Sequence, residues 1–237
     1  PNGLHLLKPK MLMRYSPGSM RKSNEAFLFN PTLAFNMSRL SNNNNFEKGL
    51  NTAIGIDYNL RKNQKKFDFS LAQIINQKEN KKMASRTSLD EKLSDLVGKV
   101  SHNLNENFNL RYNFAIDQNL NQFNYNEMGV DYNFDPFNLN FNFLEESKHI
   151  GDQKYLGTKI NYTKNNNGIF SFETKRNLVT DSSEFYNLSY EYINDCLRAG
   201  LVYRREFYED SELEPENSLM FQITLSQFGS MSSPSLY

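Results

Sequence analysis

Apolar residues fall at every second position over long stretches of this chain. In "NENFNLRYNFAID", residues 105–117, Phe108, Leu110, Tyr112, Phe114 and Ile116 share one parity, and Asn109, Arg111, Asn113 and Ala115 share the other. A period of two marks a strand with two unlike faces. Leu50, Thr52, Ile54, Ile56, Tyr58 and Leu60 likewise oppose Asn51, Ala53, Gly55, Asp57 and Asn59. Phe67, Phe69 and Leu71 oppose Asp68, Ser70 and Ala72, and a weaker strand follows over 95–102. Met128, Val130, Tyr132 and Phe134 come next, then "FNLNFNF" with Phe137, Leu139, Phe141 and Phe143 against three asparagines. Leu156 to Tyr162, Phe170 with Phe172, and Tyr186 to Tyr192 continue the device. Leu197, Ala199, Leu201 and Tyr203 alternate with Arg198, Gly200 and Arg204, and Leu219, Phe221, Ile223 and Leu225 with Gln222 and Thr224. Near the start, "KPKMLMRY" puts Met11, Met13 and Tyr15 on one face.

The pattern predicts roughly a dozen strands of about 8 to 12 residues, the length of a tilted membrane-spanning strand. Helical periodicity is confined to short turns within 19–40 and 78–94. The links alternate in kind: 61–65, 103–106, 135–136, 163–167 and 194–195 are tight, whereas 77–93, 117–122, 145–153, 178–183 and 208–216 are mostly longer and more charged. Tight turns at one end and long loops at the other characterise an outer-membrane barrel. The predicted fold is therefore all-β: an antiparallel up-and-down transmembrane β-barrel. In hydrocarbon each backbone N–H and C=O needs a partner, so spanning sheets close. The oily face then meets lipid and the amide face a wet lumen. In a dry core each unpaired amide would cost roughly 2–7 kcal/mol.

Composition narrows the alternatives. Only 38% of the 237 residues are hydrophobic and mean hydropathy is -0.70, too polar for a thick dry core. No run of about 20 apolar residues can form a membrane helix. The 19 Phe and 13 Tyr argue against disorder and suit interface girdles, although Trp is absent. Lys plus Arg balance Asp plus Glu at 27 each, so no nucleic-acid partner is implied. Pro1 opens the chain without a signal-peptide pattern, which suggests a piece of a longer precursor.

Enzyme motifs are lacking, and neither a catalytic residue, a cofactor nor a metal site is expected. His5, His102 and His149 are scattered, with no HExxH, phosphate loop or GxSxG. The acids of "EFYEDSELEPE" form a solvated charge run. Asn-X-Ser/Thr matches at Asn36, Asn161 and Asn187 are expected by chance in so Asn-rich a chain. Arg111, Lys159, Arg198 and Arg204 point into the lumen on this pattern and could meet anionic groups there. Local pairing with Asp117, Asp131, Glu173, Glu191 or Glu206 is the stronger expectation for them. Cys196, the single cysteine, sits in the tight turn "YINDCLRAG". It is either a tolerated thiol or, on an oxidising periplasmic side, half of a disulfide to a cysteine outside this chain.

"LKPKMLMRYSPGSM", "NMSRL", "EKGLNTAIGIDYN", "SDLVGKV" and "NDCLRAGLVYRREFYED…NSLMFQITL" resemble the LptD (Imp/OstA) family of lipopolysaccharide-assembly outer-membrane proteins. The likeness spans nearly the whole chain and is most specific at the last hairpin, around Cys196, Arg198, Gly200 and Tyr203. The resemblance implies a barrel of about 26 strands behind a periplasmic jellyroll domain, of which this chain would supply the C-terminal 12 or so. Barrel strands would occupy about 8–15 and 48–227 of a domain spanning 1–228. Residues 16–47 would form a long extracellular loop, partly folded over the lumen, and 229–237 a C-terminal periplasmic tail. The implied function is non-enzymatic: lipopolysaccharide assembly into the outer leaflet through a polar lumen and a lateral gate. Leu219, Phe221, Ile223 and Leu225 would lie on a gate strand, and Arg111, Lys159, Arg198 and Arg204 would be candidate contacts for the phosphates of the passing lipopolysaccharide. Implied partners are an LptE-like lipoprotein plug, periplasmic lipopolysaccharide bridge proteins, the barrel-assembly machinery, lipopolysaccharide and outer-membrane lipid. Cys196 matches a family disulfide position; where many members have two adjacent cysteines, Asp195 and Leu197 flank it here. The location would be the outer membrane of a Gram-negative bacterium, with tight turns and C-terminus periplasmic. The alternative is a general porin or receptor barrel. An outer-membrane phospholipase would need a serine partner for His102, which the pattern lacks. A soluble β-rich adhesin would need no detergent.

Overall fold

A computed structural model of the chain describes residues 3–25, 27–41, 44–149, 151–164, 167–194, 196–207 and 217–225, and the backbone of 229–232. Among these residues there are thirteen strands. They are β1 (Leu4–Ser16), β2 (Gly49–Lys62), β3 (Lys65–Asn76), β4 (Leu96–Asn105), β5 (Phe108–Ile116), β6 (Phe123–Phe134) and β7 (Phe137–Glu146). Then follow β8 (Gln153–Lys164), β9 (Gly168–Asn177), β10 (Ser182–Ile193), β11 (Leu197–Glu206), β12 (Asn217–Leu225) and β13 (Gly229–Ser232). One helical turn, α1 (Pro31–Ala34), and a 3-10 turn at Ser85–Thr87 lie in the first two long links.

All thirteen strands lie in one sheet in chain order. β1 through β5 and β8 through β13 pair antiparallel with their neighbours. This is the up-and-down connectivity that the alternation predicts. β2 to β12 run from 9 to 14 residues, enough to cross a bilayer at a tilt. The meander meets the requirement that no backbone group inside hydrocarbon be left unpaired, because each inner strand bonds on both sides.

Two boundaries differ from expectation. β1 begins at Leu4 rather than near residue 8, and residues 229–232, expected within a tail, pair with β12 as a thirteenth strand. Both segments carry weak alternation: Leu6 and Leu7 are adjacent apolar residues, and "GSMS" has one. Pairing to a neighbour's open edge made them strands where the side-chain pattern did not.

The register keeps the two parities on opposite faces. Ile54 pairs with Met11, and Ala53 with Leu12 and Ile74. Tight turns close one end at 63–64, 106–107 and 135–136, the last through the cis bond Asp135–Pro136. Asn63 takes a left-handed φ of 53°, which a two-residue hairpin turn requires and asparagine tolerates. The chain divides into two compact units, residues 1–128 with 144–153, and residues 129–143 with 154–237.

Candidate functional site: two polar sheet faces

In the first unit the polar face carries a patch of small and aliphatic residues. Gly55, Ala72, Val97 and Ala115 form one row across β2 to β5, and Leu12, Ala53 and Ile74 form the next. Ala53, Ala72, Ile74, Val97 and Ala115 are all buried. What buries them is the long β1–β2 link, which contributes Met20, Phe29, Ala34 and Leu40, with Met83 and Leu89 from the β3–β4 link. Short side chains leave room for a second layer of chain to approach the sheet. A Cβ at Gly55 would lie 2.9 Å from the Phe35 ring and 2.4 Å from the Leu71 carbonyl oxygen. The turn α1 holds Phe35 there. Its N-cap Asn30 accepts the N–H groups of Thr32 and Leu33 at 3.0 Å each, and Pro31 follows at the first helical position.

Beside this core sits a buried charge cluster. Glu47 accepts two bonds from Arg39 at 2.9 and 2.8 Å and a third from Arg14 on β1. Arg39 also donates to the Ala34 carbonyl at 3.1 Å and to Asn51 at 3.3 Å, and Arg14 to the Met37 carbonyl at 2.6 Å. Burial lowers the pKa of Arg39, and Glu47 opposes that pull. One carboxylate thus anchors the start and the end of the link to β1 and β2. At the loop end, burial raises the pKa of Asp95, against which Asn124 at 2.9 Å and Lys148 at 3.5 Å work. The described residues of the β1–β2 link thus pack on the polar face of their own unit's strands. Arg14, Arg39 and Glu47 escaped the sequence reading: Arg39 and Glu47 lie off the sheet, where alternation says nothing, and alternation cannot show which loop residue Arg14 on β1 meets. The available signal was the unusual run Ala53, Gly55, Ala72, Ala115 on a face otherwise made of amides and charges.

Toward the tight-turn end this face turns hydrophilic. Lys10 pairs with Asp57 at 2.8 Å, and Asp68 accepts from Asn59 and Arg61 at 2.6 Å each. Arg111 lies here, opposite Ser101 in the register.

Among the described residues of the second unit nothing covers the polar face in this way, and no side chain is fully buried. Lys159, Glu173, Asn187, Arg204 and Ser218 form a single row across β8 to β12. Lys159 meets Glu173 at 3.4 Å, Arg198 bonds Glu191, and Arg204 bonds Glu206 while lying 4.7 Å from the Phe185 ring centre. The three cations share one face and pair locally, as expected. Arg111, in the other unit, is not part of this row. Leu219, Phe221, Ile223 and Leu225 share the apolar face of β12, opposite Tyr203, Leu201, Ala199 and Leu197. Cys196 is exposed in the β10–β11 turn, where Asn194 accepts the N–H groups of Cys196 and Leu197 at 3.0 and 2.7 Å. Asp195 lies outside the described residues.

The apolar faces carry rings near the tight turns. His5, Tyr58, Phe67 and His102 make a chain of ring contacts in the first unit. Tyr132, Phe134, Phe137, Tyr162, Phe170 and Tyr190 do so in the second, at centroid separations of 4.5 to 6.4 Å. A belt of rings at one level is how a spanning sheet marks the interface between headgroups and acyl chains. Each unit makes its own row of rings without tryptophan. Among the described residues no group of His, Cys, Asp and Glu could hold a metal ion.

Residues 1–154 match the LptD family, "LPS transport system D". The chain belongs to the LptD family. Its place is the outer membrane and its business lipopolysaccharide transport. The match covers β1 to β7 and their loops, including the inward-folded link, and stops before the hairpin around Cys196 that looked most specific in the sequence. No curated protein sequence matches the chain. Two solved mutants of the Rhodopseudomonas blastica porin, each with three substitutions, are similar at 12% identity. Each has a TM-score of 0.45 and covers 77% of this chain and 84% of its own. Similarity at that level carries no weight beside the chain's own strand order.

Proposed function

We propose that this chain is part of the wall of a barrel that assembles lipopolysaccharide into the outer leaflet without catalysing a reaction. The observation that carries the reading is the family match over residues 1–154, on strands whose polar face is partly roofed by their own loop. A roof of this kind suits a path that must stay shut to small solutes while a large amphiphile leaves sideways. In this reading the amide face shields sugars and phosphates from hydrocarbon, and the acyl chains leave at a seam near β12, the proposed gate strand, which among the described residues is paired on its far side only over Gln222–Leu225. Leu219, Phe221, Ile223 and Leu225 would face lipid at that seam. Arg111, Lys159, Arg198 and Arg204 supply polar wall, with phosphate contact secondary to their local pairs.

The same reading puts the tight turns and Cys196 in the periplasm, where its exposed thiol would pair with a cysteine outside this chain. The partners would be an LptE-like lipoprotein plug, periplasmic bridge proteins that deliver the glycolipid, and the barrel-assembly machinery. Depleting the protein in cells tests the function. Surface-exposed lipopolysaccharide should fall while uptake of small hydrophilic solutes holds or rises. Unchanged surface lipopolysaccharide with reduced solute uptake would instead indicate a porin. For the thiol, non-reducing electrophoresis of the intact protein should show a mobility shift that Cys196→Ser abolishes, and equal mobilities would remove the disulfide alone.

A further inference from the structure

The two long links of the first unit hold a cleft between them that neither the transport path nor the strand pattern requires. Its volume is about 470 Å³, and it is bordered by Lys22, Ser23, Asn24, Lys81, Ser85, Arg86 and Asp90, with Met83 beneath. Ser23, Met83 and Asp90 are buried and form the floor. Lys22, Lys81 and Arg86 are exposed on the rim. Lys81 is already paired with Glu79 at 2.9 Å. Among the described residues Lys22 and Arg86 have no acidic partner within ion-pair distance. Arg86 also borders a smaller cavity beside Asp95 and Lys148.

The cleft is built rather than incidental. The Ser23 N–H donates to the Lys82 carbonyl at 2.8 Å, and the Lys82 ammonium donates to the Met20 carbonyl at 2.6 Å, so each link fastens the other. On the far wall the Asn80 N–H donates to the Asp90 carbonyl at 2.9 Å, and the Thr87 hydroxyl to the Ala84 carbonyl at 2.7 Å. Ser88, left-handed at φ 59°, turns the chain back, and its hydroxyl accepts the Asp95 N–H at 3.0 Å. The Oδ1 of Asp90 is buried without a hydrogen-bond donor. The walls thus offer three cations, two of them without an acidic partner among the described residues, beside neutral donors and acceptors on Ser23, Asn24 and Ser85 and a carboxylate in want of a donor. Cations call for an anion, and hydroxyls satisfy the neutral groups and the acid. A phosphate on a sugar brings both; inorganic phosphate brings only the first.

We propose that this cleft binds a phosphate monoester carried on a saccharide, at the long-loop end of the sheet. It rests on the functional reading above only in placing that end at the outer surface. There the phosphorylated sugar is either the headgroup of an outer-leaflet glycolipid or a free sugar phosphate.

The test uses the intact protein in detergent, with Lys22→Ala/Arg86→Ala as the variant and Lys48→Ala as an exposed-lysine control. Folding of each is checked by mobility in unheated electrophoresis. Binding of glucosamine 1-phosphate, glucosamine, inorganic phosphate and purified lipopolysaccharide is measured by calorimetry at two salt concentrations. Glucosamine 1-phosphate should bind at least about tenfold more tightly than glucosamine and than inorganic phosphate, with the affinity falling at high salt. The double variant should lose about tenfold or more and the control should not. Tighter binding of lipopolysaccharide than of the free sugar phosphate identifies the headgroup as the occupant, and the reverse identifies the soluble sugar. Equal binding of glucosamine 1-phosphate and inorganic phosphate overturns the saccharide part. A folded double variant that binds like wild type overturns the site. Sugar-phosphate binding in a protein whose depletion leaves surface lipopolysaccharide unchanged would sink the transport reading and leave the cleft standing.

Discussion

The first unit covers its polar face with its own loop, while among the described residues of the second the same kind of face is bare. Both sheets alternate oily and hydrophilic residues, yet every fully buried hydrophobic side chain among the described residues belongs to the first. The difference lies in what fills the inward positions. Gly55, Ala72, Val97 and Ala115 present a shallow row on which chain can pack, whereas Lys159, Glu173, Asn187 and Arg204 present one that water must fill. A spanning sheet does not need a core to be stable, because lipid on one side and closed backbone pairing do that work. Where a core does appear on the wet side, its purpose is the loop it holds.

The sharpest way to break this contrast is to remove one carboxylate from each region. Glu47→Ala strands Arg14 and Arg39 as buried, unpaired charges and should cost the loop about 3–5 kcal/mol. Limited proteolysis of residues 17–48 should then become fast while the strands stay protected. Glu173→Ala removes the partner of Lys159 from a pair whose side chains are 46% and 41% exposed, and should cost about 0–1 kcal/mol.

Glycines give a second contrast. Gly55→Val forces Phe35 and the β3 backbone to move and should destabilise the loop by about 1–3 kcal/mol. Gly200→Val, on the polar face of β11 with nothing within 4 Å of its added Cβ, should change stability by less than about 0.5 kcal/mol. Hydrogen exchange in the β1–β2 link and in β11 measures both. If the two substitutions unseated the loop and the hairpin equally, the small-residue patch would not be what seats the roof.

The strands were legible because a period of two survives whatever packs on either face. Phe108 to Ile116 form β5 as expected, and the long links near 77–93, 117–122 and 145–153 fall where charge runs placed them; the link at 178–181 is shorter than expected, and that expected at 208–216 lies outside the described residues. The local pairing of Lys159, Arg198 and Arg204 was also legible, since a cation and an acid of one parity on neighbouring strands, or two residues apart on one strand as Arg204 and Glu206 are, have few other partners. The roof was not. Ala53, Ala72 and Ala115 were visible on the polar parity, but only the register aligns Ala72 with Val97 and Ala115 in one row. Glu47 was one acid among many in a loop, because no local pattern ties it to Arg14, 33 positions away. The rim of the inter-loop cleft escaped for the same reason: Lys22 and Arg86 come together only when two loops fasten.

Nitroxide scanning along β10 in lipid bilayers addresses the two-faced sheet itself. Labels placed singly at Asn187, Leu188, Ser189 and Tyr190 are compared for collisions with oxygen, which concentrates in acyl chains, and with a water-soluble nickel chelate. Oxygen accessibility should peak at Leu188 and Tyr190 and chelate accessibility at Asn187 and Ser189, with a period of two. Accessibilities in phase with each other, or four labels that all collide freely with the chelate, would contradict a sheet that stands between lipid and water.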